Sequence, residues 1–271
     1  MKKFIAAIFV LTFVLSVAET YALDLGNEIT IYDNKSRGGY SGWWNGSTGN
    51  GTANEDQEVE PGMQRGQVWD LEGFFLDGQT LSMVGGFDFI KGHHSRTSGD
   101  LFFDTTGDVK FGKDAPKTGL NGHGNKNVKN IFGYDYVLDL DFEQLSYSIY
   151  KIDSNADLTM GYYRQNDSST AWKYSGGGEF LGNGTIVYQE NLSDDAVGFQ
   201  GGYHNVATFD LSFLYPETSF TSHFTMGCGN DNLMGYGTTP EAPVPTPEPG
   251  TLFLLGAGMV GLVAFVRKHQ K

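Results

Sequence analysis

The amino-acid sequence predicts an all-β protein, an antiparallel β-sandwich with jelly-roll-like connections, flanked by a signal peptide and one C-terminal transmembrane helix. Short segments alternate apolar and polar residues with a period of two, as half-buried strands do. Glycine (38 residues), phenylalanine (20) and tyrosine (14) are abundant in the 271-residue chain, which is typical of strands joined by tight turns. Between the two ends, no segment shows a convincing amphipathic helical pattern.

The N-terminal segment has the composition of a secretory signal peptide. Lys2 and Lys3 precede an apolar stretch that continues to about Ala18, and Thr20-Tyr21-Ala22 supplies small residues where a signal peptidase cleaves. We therefore assign residues 1–22 to a signal peptide and residues 23–236 to one exported domain, which is long enough for a sizeable core.

Alternation places several strands inside this domain. Residues 136–142 and 145–149 both alternate, and the parity shifts by one across Glu143-Gln144, as a tight turn or a bulge would produce. Residues 209–215 alternate in the same way. Asp77-Gly78 and Asn183-Gly184 each supply the positive φ angles that hairpin turns need, so we predict a hairpin at each.

The C-terminal region has three parts. Residues 237–250 contain five of the eight prolines and predict an extended, stiff stalk. Residues 251–266 carry no charge and, as a helix, would span about 24 Å at 1.5 Å per residue, so we predict a transmembrane helix. Residues 267–271 form a basic stub, which the positive-inside rule places in the cytoplasm.

This C-terminal region resembles a known sorting signal. The sequence Pro247-Glu248-Pro249, followed by Gly250, an apolar run and a basic end with Arg267 and Lys268, is similar to the PEP-CTERM motif. The resemblance implies recognition by an exosortase, a membrane protease-transferase of Gram-negative bacteria that make exopolysaccharide. It therefore implies anchoring in the inner membrane, processing, and delivery to the cell surface or extracellular matrix. Segments 67–75, 84–89, 99–104 and 224–232 also resemble one uncharacterised exported type of PEP-CTERM protein, which brings no catalytic residue.

Charge and cysteine content narrow the range of functions. Outside the signal peptide and the basic stub, 13 basic against 31 acidic residues give a net charge of about −18, which disfavours nucleic acid as a partner. Cys228 is the one cysteine, so an intramolecular disulfide is excluded. Its thiol is either buried or available for an intermolecular bond, and burial is the usual state of a free cysteine.

One acidic segment is a candidate calcium site. Asp100, Asp104 and Asp108 offer hard oxygen ligands around a sharp turn that contains Gly107. The alternative is an ordinary Asp-Gly turn without metal. No other cofactor is predicted.

Trp43 and Trp44 are the candidate ligand-binding residues. They lie in a segment rich in glycine, asparagine and serine, which can bury little, so two flat aromatic faces could stack on sugar rings. The alternative is that both fill the core. An exopolysaccharide is thus the expected ligand.

Catalytic signatures are absent from the sequence, which contains no G-x-S-x-G, no H-E-x-x-H and no phosphate-binding loop. We therefore predict no catalytic residues and an exported, non-enzymatic surface or matrix protein. The alternative is a polysaccharide-active hydrolase on the same sandwich.

Overall fold

The structure is a computed structural model that describes residues 22–32, 55–57, 59, 63–111, 116, 124–162, 171–242 and 251–269. The predicted signal peptide up to residue 21, Trp43, Trp44 and the motif Pro247–Gly250 lie outside the described residues. The chain divides into two compact units, Met1–Thr239 and Pro240–Lys271.

The described part of the first unit is built from β-strands. The strands are β1 (Asn27–Glu28), β2 (Leu71–Asp77), β3 (Thr80–Gly85), β4 (Leu101–Asp104), β5 (Gly124–Lys129), β6 (Tyr136–Asp141), β7 (Ser146–Lys151), β8 (Asp157–Tyr162), β9 (Ala171–Gly176), β10 (Glu179–Thr185), β11 (Val187–Leu192), β12 (His204–Asp210), β13 (Ser219–Thr225) and β14 (Asn232–Thr238). A 3₁₀ turn (Gln67–Trp69) precedes β2, and a single helical turn, α1 (Asp194–Val197), precedes β12.

These strands form three antiparallel sheets. The five-stranded sheet has the order β1-β2-β3-β12-β11, the six-stranded sheet β10-β7-β6-β4-β13-β14, and the three-stranded sheet β5-β8-β9. The connections from β3 to β4, β10 to β11 and β12 to β13 each pass from one large sheet to the other. This arrangement confirms the predicted antiparallel β-sandwich.

The sandwich core lies between the two large sheets. Phe74, Leu81 and Phe209 of the five-stranded sheet pack in one buried cluster with side chains of the six-stranded sheet such as Phe103 and Phe224. Burial of such side chains stabilises the fold by about 1.5–3 kcal/mol each. The apolar residues that recur with a period of two thus line the inner faces of the two large sheets.

The sequence did not predict a third layer. The three-stranded sheet covers part of the other face of the six-stranded sheet, where Phe102 and Val137 pack against Leu158, Met160 and Ala171. The six-stranded sheet is therefore buried on both faces over part of its area. This explains why Val137 interrupts the alternation of β6.

The turn predictions have different outcomes. Asp77-Gly78 joins β2 to β3 in a hairpin, as predicted, with Gly78 at a φ of 57°. Asn183-Gly184 does not form a turn, because both residues lie inside β10 and pair with Ser148 and Tyr147 of β7. The prediction for residues 209–215 is only partly right, since β12 ends at Asp210.

The second unit contains a helix, α2 (Thr251–His269), which begins where the sequence predicts. Arg267, Lys268 and His269 lie in its last turn, where cations interact favourably with the helix dipole. Within the described residues, however, no helix is both long enough and apolar enough to cross a membrane. The predicted transmembrane character of residues 251–266 is therefore not confirmed.

Candidate functional site

The structure does not bring the three predicted calcium ligands together. Asp100 is fully buried and accepts hydrogen bonds from the Lys173 ammonium (2.7 Å) and from the backbone amides of Leu140 (3.0 Å) and Tyr174 (2.7 Å). Because β4 separates Asp100 from Asp104, their Cα atoms are about 13 Å apart at 3.3 Å per residue. Asp100 therefore pairs with Lys173 and with the backbone amide of Tyr174, away from the turn that contains Asp104 and Asp108.

Asp104 organises the turn that follows β4. Its Oδ1 accepts from the backbone amides of Thr106 (3.0 Å) and Gly107 (2.9 Å), while Asp108 accepts from the Thr106 hydroxyl (3.2 Å). Gly107 has a φ of 81°, which suits a residue without a Cβ. These contacts are those of an Asp-Gly turn, and calcium binding by this turn stays a prediction.

Cys228 is buried, in agreement with the expectation for a free cysteine. Burial raises the pKa of its thiol, which favours the neutral, unreactive form. The residue is thus not a candidate nucleophile.

The structure reveals a second group of acidic residues, which the sequence analysis missed. We call Asp56, Asp70 and Glu72 the carboxylate cluster; all three are buried, and one carboxylate oxygen of each lies within 4.8 Å of the others. Among the described residues, this is the group of acidic, histidine or cysteine side chains whose spacing fits a metal ion. It lies at the start of β2 in the five-stranded sheet.

Local backbone structure positions these side chains. The register between β2 and β3 shifts between Leu71 and Gly73, so Glu72 is the additional residue of a β-bulge. Such bulges re-aim side chains and occur often beside functional sites. The Leu71 amide donates to Asp231 (2.6 Å), which fixes the beginning of β2 against the segment that leads into β14.

A histidine joins the cluster to α1. The Nδ1 of His204 lies 2.7 Å from Glu72 Oε2, and its Nε2 lies 3.0 Å from Asp194 Oδ1. Both nitrogens face carboxylate oxygens, and this arrangement favours the imidazolium form, in which both nitrogens donate. Burial lowers the pKa of His204, but the hydrogen bonds and charges of Glu72 and Asp194 outweigh it and raise the pKa overall.

Burial also alters the acids themselves. It raises the pKa of Glu72 to about 7, against the opposing effect of His204. Burial, followed by the negative charge of Glu72, raises the pKa of Asp70 well above its ordinary value, and burial raises that of Asp56. The cluster therefore holds its negative charge at an energetic cost.

The polar partners of His204 argue against nucleophilic catalysis here. In the described contacts they are carboxylates and the Gln67 amide, whereas an activated nucleophile would place a hydroxyl or thiol against the imidazole. All three members of the cluster are buried, so the described residues leave little access for an organic substrate. Its chemistry suits a small cation.

A separate groove opens on the six-stranded sheet. It has a volume of about 580 Å³, and its polar lining includes Asp139, Asp141, Ser146, Ser148, Lys173 and Asn183. Cross-strand pairing of Asp139 with Ser148 and of Ser148 with Asn183 places these groups on one face, since directly opposed residues share a face. We call this face of the six-stranded sheet, which carries Asp139, Asp141, Ser146, Ser148 and Asn183, the outer face.

Aromatic side chains lie at one end of the outer face. Tyr150 is two residues from Ser148 and therefore points to the same side of β7, and its cross-strand partner is Phe180. The rings of Tyr150 and Tyr174 are stacked with centroids 4.7 Å apart, and Phe180 is 53% exposed. The outer face thus combines hydrogen-bonding groups with an accessible aromatic surface.

Of the predicted sorting residues, Arg267 and Lys268 lie exposed at the end of α2. Comparison with protein families gives a match to the PEP-CTERM protein-sorting motif over residues 245–268. No curated protein and no solved structure shows significant similarity to the chain. The chain therefore carries a PEP-CTERM sorting motif, which indicates a protein that is exported and processed by an exosortase.

Proposed function

We propose that this PEP-CTERM protein is a non-enzymatic protein of the cell surface or extracellular matrix that binds exopolysaccharide through the outer face. The observation that carries the proposal is the row of polar side chains that ends in the aromatic residues Tyr150 and Phe180. Sugar rings present hydroxyl groups at their edges and C–H groups on their faces. A surface that binds them therefore needs both kinds of contact.

The polar half of this face is already organised. The Ser148 hydroxyl donates to Asn183 Oδ1 (3.0 Å), and the amide nitrogen of Asn183, which lines the groove, would then serve as the donor for a sugar hydroxyl. Asp139 and Asp141 supply acceptors on the neighbouring strand. A preformed arrangement of this kind loses little conformational entropy when a ligand binds.

The expected partners follow from export and sorting. Signal peptidase would remove residues 1–22, the exosortase would process the tail, and the membrane would hold the precursor before that step. The destination is then the surface or matrix of a Gram-negative bacterium. The net charge of about −18 continues to argue against a nucleic-acid partner.

Retention of the full-length chain on immobilised exopolysaccharides tests the proposal. Phe180→Ala and Asn183→Ala should each weaken retention several-fold, because each removes one of the two kinds of contact. Tyr215→Ala is the control, since Tyr215 is 80% exposed and does not line the groove. Undiminished retention by both outer-face variants would contradict the assignment, and loss on changing Trp43 and Trp44 to alanine would transfer it to that pair.

The alternative function is a polysaccharide-active hydrolase that uses the same groove. Asp139, Asp141 and Glu143 line it, and burial raises the pKa of Asp139, as a general acid requires. Release of reducing ends from a retained polysaccharide, abolished by Asp139→Asn, would favour the hydrolase. Retention without release favours the binding protein.

A further inference from the structure

The carboxylate cluster concentrates negative charge where no solvent screens it. Asp56, Asp70 and Glu72 are 7%, 1% and 0% exposed, and their ligand oxygens lie within 4.8 Å of one another. Three carboxylates at this distance repel each other unless protons or a cation compensate them. His204 donates to Glu72, so it compensates one member of the cluster directly.

Asp70 provides an independent indication of a ligand. Its Oδ2 accepts from the backbone amide (2.9 Å) and side-chain amide (3.4 Å) of Gln57. Its Oδ1 is buried and has no hydrogen-bond partner within the described part of the chain. An unsatisfied buried carboxylate oxygen is strongly unfavourable, so such atoms are normally bound by a donor, water or a metal.

We propose that Asp56, Asp70 and Glu72 bind one divalent cation and that this cation is calcium. Two oxygens bound to one calcium ion at 2.3–2.6 Å lie at most about 5 Å apart, so a mutual spacing within 4.8 Å is compatible with one shared ion. Waters and main-chain carbonyl oxygens would complete the six to eight ligands that calcium takes.

The donor set distinguishes calcium from other common metals. Zinc prefers nitrogen and sulfur ligands, and both nitrogens of His204 already lie at hydrogen-bond distance from the carboxylates of Glu72 and Asp194. Magnesium requires a nearly ideal octahedron at about 2.0–2.1 Å and retains several waters, for which a buried three-carboxylate cluster has little room. Calcium accepts the irregular geometry that a bulge and two non-strand segments provide.

The cation joins parts of the chain that are distant in sequence. Asp56 belongs to the segment 55–57, Asp70 follows the 3₁₀ turn, and Glu72 lies in the bulge of β2. The side-chain amide nitrogen of Gln57 also donates to Gln67 Oε1 (2.6 Å) and to the Gln200 carbonyl (2.7 Å). Calcium would therefore fix the segment 55–57 to the edge of the sandwich, and its removal would release that segment first.

Calorimetric titration of the EDTA-treated, dialysed full-length chain with calcium chloride in mild detergent tests the proposal. We expect one saturable site. At calcium concentrations a hundredfold above Kd, the Tm should rise by about 5–10 °C. Asp70→Asn and Asp56→Asn should abolish the site, because each exchanges a ligand carboxylate for a neutral amide of almost the same shape.

Asp104→Asn is the matched control, since it removes a buried carboxylate from the other acidic turn, which the sequence also predicts to bind calcium, and it should leave binding by the carboxylate cluster unchanged. Absence of a saturable site in the wild-type chain would overturn the proposal. So would loss of the site in Asp104→Asn with retention in Asp70→Asn. If Asp70→Asn does not fold, Asp56→Asn decides, and unchanged binding by that variant overturns the assignment. An equal rise in Tm with magnesium would overturn the choice of calcium.

Discussion

Lys173 and Asp100 form an ion pair of 2.7 Å that joins the three-stranded sheet to the six-stranded sheet. Asp100 precedes β4 and is completely buried, whereas the Lys173 side chain on β9 remains 28% exposed. The backbone amide of the next residue, Tyr174, donates to the second oxygen of Asp100 (2.7 Å). One carboxylate therefore holds β9 in place through both a side chain and the main chain.

This arrangement predicts a pH dependence of stability. Burial raises the pKa of Asp100 from 3.8 to about 6, in spite of the favourable charge of Lys173. The folded state consequently binds the proton more tightly than the unfolded state. The contribution of Asp100 to the free energy of unfolding therefore falls as the pH rises from about 4 to 6. Relative to Asp100→Asn, the wild-type chain should lose about 3 kcal/mol of unfolding free energy over that interval.

Urea denaturation at several pH values measures the difference between the two proteins. Asp141→Asn, on the same sheet but exposed, is the control for removal of a negative charge. A constant difference between wild type and Asp100→Asn from pH 4 to 6 would show that Asp100 keeps its ordinary titration.

His223 should give the stability of the fold the opposite dependence on pH. Its Nε2 donates to the Ala171 carbonyl (2.9 Å), and its ring is stacked on Tyr134 (centroids 5.8 Å apart). Burial lowers its pKa from 6.5 to about 4. The unfolded state then binds the proton first, so stability is lost as pH falls from about 6.5 towards 4.

His223→Gln removes this titration while it retains an amide donor for Ala171. The variant should be less stable than wild type at pH 7, because the stacked ring is lost. The gap should narrow by about 3 kcal/mol as the pH falls to 4. A gap that stays constant across this range in urea denaturation would contradict the prediction.

Gly184 should be intolerant of any side chain. A Cβ at this position would lie 2.0 Å from Cζ of Tyr147. The tyrosine cannot easily move, because its hydroxyl donates to the Asp210 carbonyl (3.1 Å) and accepts from the Asp210 amide (3.1 Å). Gly184→Ala should therefore destabilise the fold by about 1–3 kcal/mol, as overpacking does.

Asn183→Ala is the neighbouring control, since its side chain points to the outer face instead of the tyrosine. It should change the Tm little. Equal Tm values for Gly184→Ala and wild type would show that Tyr147 relaxes at no cost.

Gly184 also shows why the sequence predicted the fold class more accurately than it predicted individual turns. Alternation identified β6 and β7, and Asp77-Gly78 identified a hairpin, because both patterns arise from interactions near in sequence. Asn183-Gly184 has the same local pattern as a turn. Its strand conformation depends on pairing with β7 and on Tyr147, which local sequence does not encode. The third layer depends on tertiary contacts in the same way.

The candidate sites also show that local sequence patterns and tertiary contacts can disagree. Asp100, Asp104 and Asp108 are near in sequence, yet a strand separates the first two in space. The carboxylate cluster unites Asp56 with Asp70 and Glu72 through a bulge that shifts Glu72 relative to β3. The spacing of Asp70 and Glu72, which puts both on one face of a strand, was the available signal, but it is common in so acidic a chain.

The final prediction concerns the C-terminal signal. A permanent anchor needs length, apolarity and basic flanks, whereas a processing enzyme needs a recognition sequence, and residues 245–268 match the PEP-CTERM sorting motif. The helix that follows contains Gly256, Gly258 and Gly261, which lower helix propensity by about 1 kcal/mol each relative to alanine. Such a helix is poorly suited to lasting anchorage and well suited to removal.

We therefore expect the surface-located protein to lack residues 251–271. Glu248→Ala should trap the full-length form in the inner membrane, because the recognition sequence is then incomplete, while Glu241→Ala, a change of equal charge outside the matched segment, should be processed normally. Mass spectrometry of the C-terminal peptide from surface and inner-membrane fractions measures both outcomes. An intact C-terminus on surface-located wild-type protein would exclude processing and would make the tail a simple anchor, since the motif would then be present without being cleaved.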